Sequence, residues 1–166
     1  SGAKVIIRRA KKGERLVCLD GQDLALLPDM LVIADEEKPV ALAGVIGGQD
    51  SAVTAETQDV FIESAYFDPV SVRKTRKAAG IQTDAAYRFE RGADIAFPPQ
   101  AALMAASLLG QFGGRAAREP ADVYPQPRKK KEVILRQRRV ADLLGIEVEE
   151  GFVKNTLEDL EFGVEA

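Results

Sequence analysis

A single carboxylate in an apolar run is the residue best placed to do chemistry in this sequence. Glu63 lies within Asp59-Val60-Phe61-Ile62-Glu63-Ser64-Ala65-Tyr66-Phe67-Asp68-Pro69. The run is rich in residues that favour a pleated, half-buried surface, so it predicts a strand leading into a helix cap. Side chains alternate across a strand, which puts Phe61, Glu63, Ala65 and Phe67 on one face. A carboxylate among such neighbours is costly unless it is paired or hydrogen-bonded. An arginine of the chain, a water site or a ligand could compensate it, and the run alone leaves these open. The plainer reading is a Glu-Arg ion pair or an exposed edge position.

Two further stretches carry unusual residues. Val40 to Gly48 (VALAGVIGG) is an apolar strand interrupted by Gly44, Gly47 and Gly48. Glycine inside a strand marks a bulge, a bend or the close approach of another group. A bend at a barrel corner and a wall of bare backbone against a ligand both fit. Ile81 to Gly92 (IQTDAAYRFERG) is the second stretch. Thr83 or Asp84 caps a short helix there, and Ala85 and Ala86 leave space beside Thr83. Arg88, Glu90 and Arg91 are spaced for a local ion network.

Composition excludes other chemistries. The chain of 166 residues contains no histidine, so Ser-His and Cys-His catalysis and histidine-ligated metal sites are excluded within it. No phosphate-binding glycine loop followed by Lys-Ser or Lys-Thr occurs. The lone Cys18 rules out an internal disulfide, argues for a reducing compartment and reads as a small buried hydrophobe. No apolar run approaches the roughly 20 residues that span a bilayer. A content of 46% hydrophobic and 30% charged residues is that of a soluble globular chain, and a net charge of -3 implies no general attraction to nucleic acid. The clusters Arg128-Lys129-Lys130-Lys131 and Arg136-Gln137-Arg138-Arg139 are local exceptions, read as a solvated linker or a phosphate-contacting surface.

The elements that must position these residues follow in order. Strands are expected at 4–10, 15–20 and 31–34, with an apolar stretch at 24–27, and turns at Lys11 to Glu14 and Asp20-Gly21. Short strands at this spacing suggest an antiparallel or barrel-like sheet. Thr54 to Thr57 is a turn with side-chain caps. Asp68-Pro69 opens a basic helix over 70–79 that Gly80 ends, and its Arg73, Lys74, Arg76 and Lys77 face solvent or an RNA backbone. The uncharged stretch 98–110 predicts a helix buried against the sheet. Tyr124-Pro125-Gln126-Pro127 reads as a linker. Beyond it come a strand at 132–136, a helix over 137–144 stopped by Gly145, a helix over 149–160 and the start of a strand at 162–164.

Three stretches together resemble the beta chain of bacterial phenylalanyl-tRNA synthetase: ADEEKPVALAGVIGG (34–48), VFIESAYFDPVSVRKTRKAAGIQTDAAYRFERGAD (60–94) and RVADLLGIEVEEGFVKNTLEDLEFGVE (139–165). The resemblance covers essentially the whole chain. It implies an α+β fold with a mixed, barrel-like β-sheet core and flanking helices, followed by a truncated, small helix-rich module. Residues 1–125 are then an N-terminally truncated editing domain, 126–131 a linker and 132–166 the start of a nucleic-acid-binding module.

The implied activity is proofreading: hydrolysis of tyrosine from mischarged tyrosyl-tRNA(Phe). The resemblance assigns Glu63 to recognition of the tyrosine hydroxyl, and places Ala43, Gly44, Gly47, Thr83 and Ala85 in the pocket lining. It assigns no catalytic base. A histidine-containing loop precedes the first strand in the family and is absent here, so the chain alone is expected to be an incomplete editing site. No cofactor is implied in this chain; ATP and Mg2+ belong to the alpha chain. The implied partners are that alpha chain and tRNA(Phe), in a cytoplasmic alpha2beta2 enzyme. A different class remains open, a non-catalytic module that binds tRNA and the other subunit. A free-standing deacylase fits less well, because residues beyond 132 resemble the synthetase's next module.

Overall fold

The computed structural model describes residues 4–117, 120–128 and 131–165. The chain divides into two compact units, Ser1–Asp122 and Val123–Ala166. Lys129 and Lys130 of the expected linker and basic run lie outside the described residues.

The first unit begins with short antiparallel strands. They are β1 (Ile6–Arg9), β2 (Arg15–Val17), β3 (Asp23–Ala25), β4 (Leu31–Ala34), β5 (Pro39–Leu42) and β6 (Ile46–Gly47). One sheet has the order β1-β4-β5-β6, and β2 and β3 form a separate ribbon. β1 pairs with β4 in the register Ile6↔Ala34 to Arg9↔Leu31. Between β4 and β5, the Asp35 carboxylate accepts from the backbone N–H groups of Glu37 (2.9 Å) and Lys38 (2.8 Å), which fixes the polar turn.

The ribbon meets the far edge of the sheet through a Cys18↔Gly48 bridge and a 3.0 Å bond from Leu19 N–H to the Gly47 carbonyl. Among the described residues the ladders do not close into a barrel, contrary to the expected detail. Closure needs long, tilted strands in a fixed stagger, and strands of two to four residues supply little of it. Val40 to Gly48 is likewise not one interrupted strand but a hairpin, β5-turn-β6.

The core lies between these strands and two helices. Met30, Val32, Leu42, Val45, Cys18 and Ile81 are its most enclosed large side chains. Burial pushes the Cys18 thiol pKa up, as expected of a packed hydrophobe. Helix α1 (Pro69–Ala79) starts where Asp68 Oδ1 accepts from Ser71 N–H at 2.8 Å and ends at Gly80, whose φ is 69°. Its inner face buries Val72 and Thr75. Helix α2 (Asp84–Phe89) buries Ala86 and sets Phe89 edge-to-face on Phe67, with centroids 5.0 Å apart.

Two further expectations fail in this unit. Residues 59–67 do not join a sheet: the β6 edge is occupied by Cys18 and Leu19, and the segment forms no ladder with the other edge strand, β1. The segment is anchored instead by Ser64 Oγ donating to the Pro98 carbonyl at 2.8 Å and by buried Phe67. Helix α3 (Pro98–Gln111) forms, but none of its residues is buried. The apolar sheet surface it was expected to cover is packed by Phe67, α1 and α2.

In the second unit, α4 (Gln137–Leu144) ends at Gly145, with φ 71°, and α5 (Glu150–Asp159) follows. Neither helix has a buried residue. The strands expected at 132–136 and 162–164 are not formed, as these segments have no ladder partner among the described residues.

Candidate functional site

Glu63 sits on a ladder-free segment, and the expected alternation does not hold around it. Phe61 is 74% exposed and Glu63 is exposed, whereas Ile62 and Ser64 are partly covered. Ala65 and Tyr66 are also partly covered, and Phe67 is buried, so strict two-residue parity is lost between Ser64 and Phe67. Without ladder bonds on either side, nothing holds the backbone to a flat pleat. Although Glu63 is exposed as a residue, protein atoms around its carboxyl desolvate it and push its pKa up. Among the described residues it has no hydrogen bond and no ion pair.

Other carboxylates in the unit behave differently. Glu14 takes both guanidinium nitrogens of Arg8, at 2.7 and 2.9 Å, and its pKa is lowered chiefly by that hydrogen bonding. Glu90 accepts from Arg76 Nε at 2.8 Å and from Arg91 Nη1 at 3.0 Å, and its pKa is lowered, with Arg76 the largest cause. The expected Arg88-Glu90-Arg91 network is therefore Arg76-Glu90-Arg91, and it ties α1 to α2. Arg76 lies 14 residues from Glu90, beyond the reach of local spacing rules. Arg91 also stacks over the Tyr87 ring, 3.5 Å from its centroid.

The turn from Leu42 to Val45 packs against Phe67 and Val72. It is closed by Val45 N–H donating to the Leu42 carbonyl at 2.9 Å, with Gly44 at φ 69°. A Cβ on Gly44 would lie 2.8 Å from Phe67 Cδ2 and 3.1 Å from Val72 Cγ2. At Gly47 it would meet Leu19 Cδ1 at 3.0 Å, and at Gly48 the Val40 carbonyl oxygen at 2.6 Å. The close approaches at these glycines are thus made by the protein's own atoms. Ala43 is buried beside them.

Thr83 joins this turn to α2. Its Oγ1 donates to the Val45 carbonyl at 2.6 Å and accepts from Ala86 N–H at 3.0 Å. The cap was readable from sequence, whereas the bond to Val45, 38 residues away, was not. Ala85 is exposed in the first turn of α2. Of the expected pocket residues, the structure brings Thr83 together with the Ala43–Gly44 turn, and Gly47 packs under Leu19. Replacing Thr83 by Val removes both hydroxyl bonds. We expect a loss of about 1–3 kcal/mol in urea denaturation, whereas Thr83→Ser should retain most of the stability.

No group of His, Cys, Asp and Glu side chains suited to hold a metal ion occurs among the described residues. No helix among them is long and apolar enough to cross a membrane.

Comparison with known proteins gives the chain's family. Residues 1–114 match the family model described as the B3/4 domain. Over 165 residues the chain is 42% identical to the phenylalanine–tRNA ligase beta subunit of Geobacter metallireducens, covering 99% of this chain and 21% of that protein. The corresponding subunit of Aquifex aeolicus is 44% identical over 157 residues, covering 95% of this chain and 20% of that protein. That of Carboxydothermus hydrogenoformans is 42% identical over 162 residues, covering 97% and 20%. The chain thus spans about a fifth of the length of these curated relatives. With the family model matching its first 114 residues and identity above 40% running through nearly its whole length, the chain belongs to the B3/4 domain family.

Proposed function

We propose that this chain is part of the beta subunit of a phenylalanyl-tRNA synthetase and that its first unit proofreads by hydrolysing tyrosyl-tRNA(Phe). Water adds to the ester carbonyl, the bond to the ribose oxygen breaks, and free tyrosine and a tRNA 3′ hydroxyl result. Glu63 reads the substrate: its carboxylate accepts the hydrogen of the tyrosine hydroxyl. Phenylalanine has no hydroxyl, so it leaves the carboxylate desolvated and unpaired. No group of this chain is assigned as the base that activates water. Ala43, Gly44, Gly47, Thr83 and Ala85 shape the surrounding wall in this reading.

The observation that carries the reading is the contrast between Glu63 and the partly buried carboxylates Glu14 and Glu90. Glu14 and Glu90 are neutralised by arginines, while Glu63 is desolvated without a partner among the described residues. A carboxylate kept in that state is suited to a ligand's donor. The test is deacylation of tyrosyl-tRNA(Phe) by the full-length beta chain with its alpha partner, wild type against Glu63→Ala. Retained selective hydrolysis in the variant overturns the assignment.

In the same reading the alpha chain carries out aminoacylation with ATP and Mg2+. The enzyme is a cytoplasmic alpha2beta2 assembly, and tRNA(Phe) is the shared substrate.

One observation favours a second reading, a non-catalytic module that binds tRNA and the other subunit. The Thr83 hydroxyl is already committed at both ends, and the open side of Gly44 is filled by Phe67. Tyrosine binding that depends on Glu63 separates the two.

A further inference from the structure

We infer that the outer face of α1 is a docking surface for the phosphate backbone of single-stranded RNA, with Arg73, Lys74 and Lys77 as its contacts. This rests on the reading that the substrate is carried on RNA. Val70, Arg73, Lys74 and Lys77 recur at spacings that place them on one helix face, opposite buried Val72 and Thr75. Together with Pro69 and Glu90 they line a groove of about 290 Å³.

All three cations are exposed, and none has an ion pair or a side-chain hydrogen bond among the described residues. Lys12, Arg88 and Arg115 are likewise unpaired among the described residues, but other cations of the unit are engaged. Lys4, Arg8, Arg15, Lys38, Arg76 and Arg91 each hold a carboxylate. The one carboxylate lining the groove, Glu90, is bound on both oxygens by Arg76 and Arg91, so it does not neutralise the face.

Simpler origins account for less. The net charge of the chain is -3, so the patch is not a by-product of a basic composition. Attraction to the C-terminal end of the helix dipole explains Arg76 and Lys77 in the last turn, but not Arg73 and Lys74 in the middle of α1. A membrane surface would require an apolar face free to insert, and that face of α1 is packed into the core. Arg73 and Lys77 are about 6 Å apart along the helix axis, which suits contacts to neighbouring phosphates of one strand. Pro69 and Val70 supply an apolar margin to the groove.

The test uses the whole 166-residue chain and a fluorescent 12-nucleotide single-stranded RNA with no amino acid attached, followed by anisotropy from low to moderate salt. The wild type is compared with Arg73→Ala/Lys74→Ala/Lys77→Ala and with Lys11→Ala/Lys12→Ala/Arg115→Ala, which removes the same charge elsewhere. The basic residues of the second unit are identical in all three proteins. The α1 variant is expected to bind about tenfold more weakly, with the slope of log affinity against log salt reduced by about 2, near 0.7 for each phosphate neutralised. The control should lose less than half of that. Equal losses in both variants, no loss in either, or no binding by the wild type would overturn the proposal. So would α1-dependent binding of poly-glutamate at equal affinity, which would identify an acidic protein surface instead. Because the RNA carries no aminoacyl ester, this result is independent of whether tyrosyl esters are hydrolysed.

Discussion

Glu63→Ala should reduce the preference for tyrosyl over phenylalanyl ester about a hundredfold in the editing reaction of the complete alpha-beta enzyme. The magnitude follows from what the residue contributes. A hydrogen bond to a charged group is worth about 1.5–3 kcal/mol net, and about 2.7 kcal/mol corresponds to a hundredfold in rate. The rest of the discrimination belongs to shape and remains. Stability should move the other way. The folded-state pKa of Glu63 is raised by desolvation, so the folded protein holds its proton more tightly than the unfolded chain does. Stability from this group is therefore present at low pH and is lost as pH rises from the ordinary carboxylate range through the raised value. Glu63→Gln, which keeps the shape and removes the charge, should melt at or above the wild-type temperature at pH 7, and the gap should close near pH 4. A clear loss of melting temperature at pH 7 would show that the charge holds the fold together and is not reserved for a ligand.

Gly44→Ala should be among the most damaging small substitutions in the first unit, at about 2–5 kcal/mol in urea denaturation. Two costs add. A residue with a Cβ at φ 69° costs about 1–2 kcal/mol. The new methyl would also lie 2.8 Å from Phe67 Cδ2, and forcing extra volume into a packed site costs about 1–3 kcal/mol. Gly80→Ala provides the control. Its φ is also 69°, but no atom would meet its Cβ within 4 Å, so only the backbone cost applies. If the two variants lose the same stability, Phe67 yields freely and the contact against Gly44 is not a rigid one. Phe67 also packs edge-to-face on Phe89, so a displacement at Gly44 reaches α2.

The parts of the structure readable in the sequence are those whose bonds close within a few residues. Asp68, Pro69 and Gly80 bound α1, Thr83 caps α2, and Thr57 Oγ1 accepts from Thr54 N–H at 2.9 Å. Each involves one turn of backbone and a side chain that reaches it. The misreadings concern partners far along the chain. Residues 59–67 have a strand's composition, but where they settle is decided by distant partners, the Pro98 carbonyl that takes Ser64 and the core that takes Phe67. α3 has a core helix's composition, but Phe67, α1 and α2 pack the core. At the site, Glu63 was conspicuous because a charge among apolar residues demands an explanation. The bond from Thr83 to Val45 and the seat of Phe67 on Gly44 carry no local mark, since they exist only once the chain has folded back.

The sheet order also sets a sequence of events during synthesis. β4, β5 and β6 follow one another and can pair as soon as each is made, but β1 bonds to β4, with Arg9 opposite Leu31 and Ile6 opposite Ala34. At about 5–20 residues per second, β1 waits for a second or more after leaving the ribosome before its partner exists. During that interval the edge that will meet β4 is unsatisfied, and Ile6 and Ile7, with Val5 just before the strand, are open to any other strand it meets. Lys4, Arg8, Arg9, Lys11 and Lys12 flank that apolar run with positive charge, and like-charged nascent chains repel one another at this segment. Arg8 and Arg9 thus guard the newborn chain before they serve the folded one, where Arg8 holds Glu14 and Arg9 reaches Asp29 and Ser71.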